Sequence, residues 1–202
     1  MVRDYALAAS GLLVRKVGGP SVRPYQPPGV WEAVAMPGST TREYKQDNGE
    51  ALYRRSLYNF WKRTAPPASL DLFNAPSRES CAVRRERTNT PLQALATLND
   101  PQFVEAARRL AEQALAVSGD RRKSVDFMAR RLLGRSLTSE EQKIVSSSLG
   151  ELEKHFVTHP EAATQLIAVG ESKADAKHAP APLAAFTMLA NQLLNLDEVL
   201  NK

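Results

Sequence analysis

The sequence predicts a mainly α-helical chain with a helical bundle-like C-terminal half. The N-terminal half is expected to be irregular and proline-rich, with room for one short β-hairpin. Three observations carry this. From Thr90 onward, apolar residues recur at helical spacing. The boundaries of those segments carry capping residues. Five prolines between Pro20 and Pro37 exclude regular helix or central strand over most of that stretch.

The elements follow in order. Val2 to about Val14 reads as a helix rich in alanine and leucine, stopped by Gly18-Gly19-Pro20. In the proline-rich loop, Tyr25 and Trp31 are expected to pin the chain onto the core. Asn48-Gly49 is the turn signal for the hairpin. "LYRRSLYNFWKR" fits neither helical nor strand period cleanly and could equally be helical. "PASLDLFNAP" reads as one or two helical turns. Thr90 then caps a helix with Pro91 in first position and Gln93 completing a capping box. That helix stops at Asn99, and Asp100-Pro101 starts another to about Val117. Its stripe is Phe103, Ala107, Leu110, Ala114 and Val117.

After Ser118-Gly119-Asp120, a helix carries Val125, Met128, Ala129, Leu132 and Leu133, and Gly134 ends it. Thr138 and Glu141 form a second capping box. Val145, Leu149, Leu152 and Phe156 line a helix ending near His155. Pro160 opens a short helix through Val169, and "GESKADAKHAPAP" reads as an exposed linker. The last helix holds Leu183, Phe186, Ala190 and Leu193, before a final turn capped by Asn195 or Asp197. One domain spans 1–202, with an irregular half (1–89) and a helical half (90–202) sharing one core.

The composition, 43% hydrophobic and 24% charged, supports a core that needs no disulfide or metal staple. Cys81 is the single cysteine, which excludes an internal disulfide, a paired-cysteine zinc site and a two-cysteine haem attachment. No apolar run is long enough to cross a membrane. The start makes a poor signal peptide, because Asp4 interrupts it.

The net charge is +5. Arg54 to Arg87 holds eight basic and three acidic residues, so this segment carries the whole excess. Such a segment can meet an anion, or it can be a set of structural arginines. Its interleaved Tyr58, Phe60 and Trp61 would suit nucleic acid, but no recognition helix accompanies them, and nucleic acid is disfavoured.

Candidate chemistry is sparse. His155 and His159 have the spacing of a helical metal pair, but His159 precedes a proline, and the third histidine, His178, lies in the linker. No metal site is expected. No nucleophile elbow or glycine-rich phosphate loop occurs. Cys81 lacks a histidine nearby in sequence. Glu140-Glu141 and Asp197-Glu198 sit in first helical turns and read as dipole-favoured caps. No catalytic residue is assigned.

The candidate binding residues are Arg84, Arg85, Arg87, Thr88, Asn89, Thr90 and Gln93, ahead of a helix start with free N–H groups. The competing reading is a polar seam. In it the three arginines are partly buried and fork onto carboxylates such as Asp71, Glu79 or Asp100. The seam is favoured, with Thr90, Asp100 and Thr138 as structural caps.

The run "YRRSLYNFWKRTAPPASLDLFNAPSRESCAVRRERTNTPLQALATLNDPQFVEAARRLAEQ" closely resembles the planctomycete-specific C-terminal domain of planctomycete cytochrome-c-type proteins, a domain of unknown function (1553). "LLGRSLTSEEQ" and "LANQLLNLDEVL" resemble further words of that family in the right order. The resemblance covers most of Tyr53 to Leu200. It implies a piece of a large, exported, multi-domain protein, with Met1 an internal position and a periplasmic or extracellular setting. The c-type haem would belong to other domains, so no cofactor is expected in this chain. The partners implied are the other domains of the parent protein. The expected role is a non-catalytic scaffold or interaction domain. The alternatives are a carbohydrate-active or anionic-polysaccharide-binding domain, and a docking domain for electron transfer to a haem module.

Overall fold

Among the described residues, which are 2–84, 86–117 and 119–201 of a computed structural model, the regular elements are helices and no strand forms. They are α1 (Val2–Ala9), α2 (Ala68–Leu72), α3 (Pro91–Asn99), α4 (Pro101–Val117), α5 (Arg121–Leu133), α6 (Ser139–Thr158), α7 (Pro160–Ile167), α8 (Pro180–Leu194) and α9 (Asp197–Leu200). The mainly α class stands. Arg85 lies outside the described residues.

The helix ends follow their chemistry. Thr90 Oγ1 accepts from Gln93 N at 3.3 Å, and Gln93 Oε1 returns the bond to Thr90 N at 3.0 Å. Thr138 and Glu141 form the same reciprocal pair at the start of α6. Asp100 Oδ1 accepts from Gln102 N at 3.0 Å at the start of α4, and Asp120 caps α5. Gly134 closes α5 with φ +76°, a left-handed conformation that a side chain would strain.

The core centres on α4 and α8. Ala106, Ala107, Ala111 and Ala114 of α4 and Ala184, Ala185 and Ala190 of α8 have no exposed surface or almost none. Small side chains at these positions let helix backbones approach closely. Leu110, Met128, Leu132, Leu149, Phe156, Leu183, Phe186 and Leu189 fill the space between α4, α5, α6 and α8. Val117, placed at the end of the α4 stripe, is instead 59% exposed, because the helix has left the core by its last turn.

Several expectations need correction. Helix α1 ends at Ala9, not near Val14: Gly11 takes φ +74°, and Leu13 N turns back to Leu7 O at 3.0 Å. The hairpin at Asn48-Gly49 does not form. Gly49–Tyr53 is a 3-10 turn, and Ser56–Tyr58 is another. The segment pairs with a different neighbour. Val14 N bonds Tyr53 O, Val22 N bonds Tyr58 O, and Phe60 N bonds Val22 O, all as isolated parallel bridges. Tyr25 does reach the helical core, whereas Trp31 packs in a separate cluster with Tyr44 and Phe60 at 4.9 and 5.4 Å. Helix α6 runs to Thr158 and α7 stops at Ile167. Helix α9 has Leu196 at its N-cap with no side-chain cap, since Asn195 Oδ1 accepts from Thr97 and Asp197 Oδ1 from Asn89. The linker is not loose: Gly170, Ser172, Ala174 and Asp175 are half-buried.

Thr90→Ala removes a side-chain cap and is expected to lower stability by about 1 kcal/mol. In a chain of this size that is a fall in thermal midpoint of roughly 2–4 °C, read by calorimetry. An unchanged midpoint would show that the cap contributes nothing.

Candidate functional site

The best-shielded charges lie on α4, one face of which is polar and buried. Glu105, Arg108 and Glu112 recur at positions i, i+3 and i+7, and are 0%, 0% and 4% exposed. Arg108 NH1 bonds Glu112 Oε1 at 3.1 Å, and Glu105 Oε1 lies 3.9 Å from the same guanidinium. Arg109 pairs with the other oxygen of Glu112.

Hydroxyls and backbone from distant segments complete this row. Glu105 Oε1 accepts from Tyr53 OH at 2.9 Å and from Ser172 N and Oγ at 2.7 and 2.6 Å. Tyr25 OH donates to Glu105 Oε2 at 3.0 Å and accepts from Glu171 N at 2.7 Å. Arg108 bonds the Ser172 carbonyl, and Asp175 N donates to Glu112. Residues 171–175 are therefore strapped across α4. Burial first, then the Glu105 hydrogen bond, pushes the Tyr53 hydroxyl up to about 12, and burial with the Glu105 charge raises Tyr25 further.

A second seam joins the N-terminal half. Arg3, 3% exposed, donates to Gln102 Oε1 at 2.7 Å, Arg54 O at 2.8 Å and Leu52 O at 2.6 Å. Desolvation lowers its pKa, and Asp4 and Asp100 act in the opposite direction. Burial raises Asp100. Arg54, 5% exposed, bonds the carbonyls of Lys16, Gly18 and Pro20 and lies 3.8 Å above the Tyr58 ring.

Of the expected binding residues, Thr88 to Gln93 come together but the arginines do not join them inside. Thr88 Oγ1 accepts from Asn74 Nδ2 and Gln93 Nε2, both at 2.8 Å, and Gln93 Nε2 also reaches Leu72 O. Asn89 Nδ2 reaches Asp197 Oδ1 at 2.9 Å. Arg84 and Arg87 are exposed, which corrects the expectation of burial. Two of the three carboxylates meant for them are taken: Glu79 pairs with Arg63, and Asp100 bonds Gln102, while Asp71 is exposed. Arg87 keeps one bond, to Asn201 O at 3.1 Å. Beside this segment opens a groove of about 580 Å³, lined among others by Arg55, Arg84, Arg87, Val2, Phe73 and Leu200.

Reasoning from sequence missed Arg3, Arg54, Glu105, Arg108, Glu112 and Ser172. The signal for the α4 row was the spacing of three charges within an alanine-rich helix. Elsewhere, the His155 and His159 rings stack at 4.5 Å, and Cys81 is exposed. Glu141 closes its capping box and accepts a fork from Arg135, which also bridges Glu198 of α9. That fork and the Thr138 N–H hold the Glu141 carboxyl at about 2.

The architecture defines a helical domain wrapped by an irregular N-terminal half, with buried charges fastening the two. A family model described as "Protein of unknown function (DUF1553)" matches residues 1–149, and the chain belongs to that family. The match takes in the wrap, α1 to α5 and the first half of α6, including every residue of the α4 row. No curated protein and no solved structure matches the chain.

Glu105→Ala is expected to destabilise the fold by about 3–5 kcal/mol, because it removes one of the two carboxylates beside buried Arg108 and leaves the Tyr25, Tyr53 and Ser172 donors without their acceptor. Arg87→Ala on the exposed rim should change stability by no more than about 0.5 kcal/mol. Urea unfolding compares the two, and equal effects would refute the distinction. For Glu141 the depressed carboxyl means its contribution is present above the unfolded value and is lost as pH falls through about 2. NMR titration should find that midpoint near 2 and find it raised towards 4.5 in Arg135→Ala. A midpoint unmoved by the substitution would show that the fork is not its cause.

Proposed function

We propose that this chain is an interaction scaffold within a larger extracytoplasmic, planctomycete-type protein associated with c-type cytochrome modules. The observation that supports it best is how the buried charges are used. Glu105, Arg108 and Glu112 hold residues 171–175, Tyr25 and Tyr53 against α4. Arg3 and Arg54 hold the N-terminal wrap by backbone carbonyls. These groups fasten segments to one another, which is the work of a rigid platform. The haem of such a protein would sit in another domain, since a single cysteine cannot supply two thioether bonds.

A platform needs a face for its neighbours. Helix α3 turns Leu92 and Leu95, 60% and 58% exposed, outward from the bundle. Apolar surface of this kind beside a rigid core suits contact with another domain. Hydroxyl-radical footprinting of the intact parent protein tests this. Leu92 and Leu95 should oxidise several-fold more slowly than Leu57, which is 70% exposed. Equal rates at all three would overturn the reading of this face.

A further inference from the structure

The groove between α1, α9, Arg84 and residues 86–88 is the feature that the scaffold does not use. Its volume of about 580 Å³ lies within the range of about 300–1,000 Å³ typical of ligand clefts. The side chains of Arg55 and Arg84 are exposed and make no hydrogen bond or ion pair among the described residues. Arg87 commits one N–H to Asn201 O. Each guanidinium therefore still presents donors in a fork that matches a carboxylate.

Two acidic residues line the same groove, and one is already engaged. Asp4 Oδ1 accepts from Ser56 N and Oγ at 2.8 and 2.6 Å and lies 3.5 Å from Arg3. Among the described residues of the lining, three arginines are thus left with Glu86 as the uncommitted acid. Between them, half-buried Val2, Phe73 and Leu200 form an apolar wall. The neutral polar side chains Asn74, Thr88 and Gln93 are bonded to one another or to backbone. A polyhydroxylated ligand would find few uncommitted partners there, and would leave its own or the protein's polar groups poorly paired.

We propose that this groove binds an extended acidic peptide, with carboxylates alternating with aliphatic side chains, supplied by another part of the parent protein. The proposal rests on the interaction-scaffold reading and names the partner chemistry of one surface. In an extended peptide successive side chains point to opposite sides, so carboxylates can meet the arginines while aliphatic groups meet the wall.

The test is fluorescence anisotropy of the full chain with a labelled octapeptide alternating Glu and Leu, at low and physiological salt. Binding should weaken with salt and be weakened at least tenfold by Arg84→Glu. Leu200→Lys should weaken it several-fold. Arg15→Glu, an exposed arginine outside the groove, should change it less than twofold. Thermal midpoints and circular dichroism establish that each variant is folded. No binding, or equal loss from Arg84→Glu and Arg15→Glu, overturns the proposal. So does a Leu200→Lys variant that binds as well as the parent chain. Tighter, Arg84-dependent binding of a sulfated oligosaccharide than of the peptide also overturns it, assigning the groove to polysaccharide. None of these results bears on Leu92 and Leu95, which do not line the groove, so the footprint on α3 stands or falls separately.

Discussion

Glu105 ties together three parts of the chain that lie far apart in sequence. It has no exposed surface, and its two oxygens accept from Tyr25, Tyr53 and Ser172, which come from three separate segments. A buried carboxylate is tolerated only where such donors and a cation compensate for lost water. The compensation here is long-range, so the carboxylate dictates where the wrap and the 171–175 strap lie. Gly170 shows how tight the closure is. A Cβ there would fall 2.4 Å from Glu105 Cδ, and its φ of +92° already disfavours a side chain. Glycine permits both the turn and the approach.

The same logic of borrowed partners runs through the N-terminal half. Among its described residues that half has no sheet and little regular helix, yet its backbone is anchored. Arg3 and Arg54 donate to carbonyls at Lys16, Gly18, Pro20, Leu52 and Arg54 that no regular element satisfies. Guanidinium suits this task because its several donors lie in one plane and stay charged. Around Trp31, Lys62 lies 4.8 Å from the ring centroid while donating to Thr41 O, so a smaller aromatic cluster steadies the loop beyond reach of the main core.

Local signals were legible in the sequence, and long-range ones were not. Thr90, Gln93, Thr138, Glu141 and Gly134 act on neighbours within a few residues, and the structure shows each as its local chemistry dictates. The apolar periods of α4, α5 and α8 likewise reflect one helix at a time. The hairpin failed because Asn48-Gly49 says only that the chain turns, not which partner the next residues choose. The arginines of Arg84 to Arg87 illustrate the converse. The threonine cap, helix-start proline and asparagine turns around them suggested a seam, whereas the buried arginines among the described residues, Arg3, Arg54 and Arg108, lie far apart in the chain.

The Arg3 bonds also bear on synthesis. Its Nε partner, Gln102, lies 99 positions later in the chain. At ribosomal rates of about 5–20 residues per second, Gln102 is made roughly 5–20 s after Arg3. Until α4 is made, the Arg3 guanidinium lacks its Gln102 partner and the apolar face of α1 lacks the helix it packs against. Arg3 can meet the carbonyls of Leu52 and Arg54 about halfway through that interval, but its bond to Gln102 waits for α4.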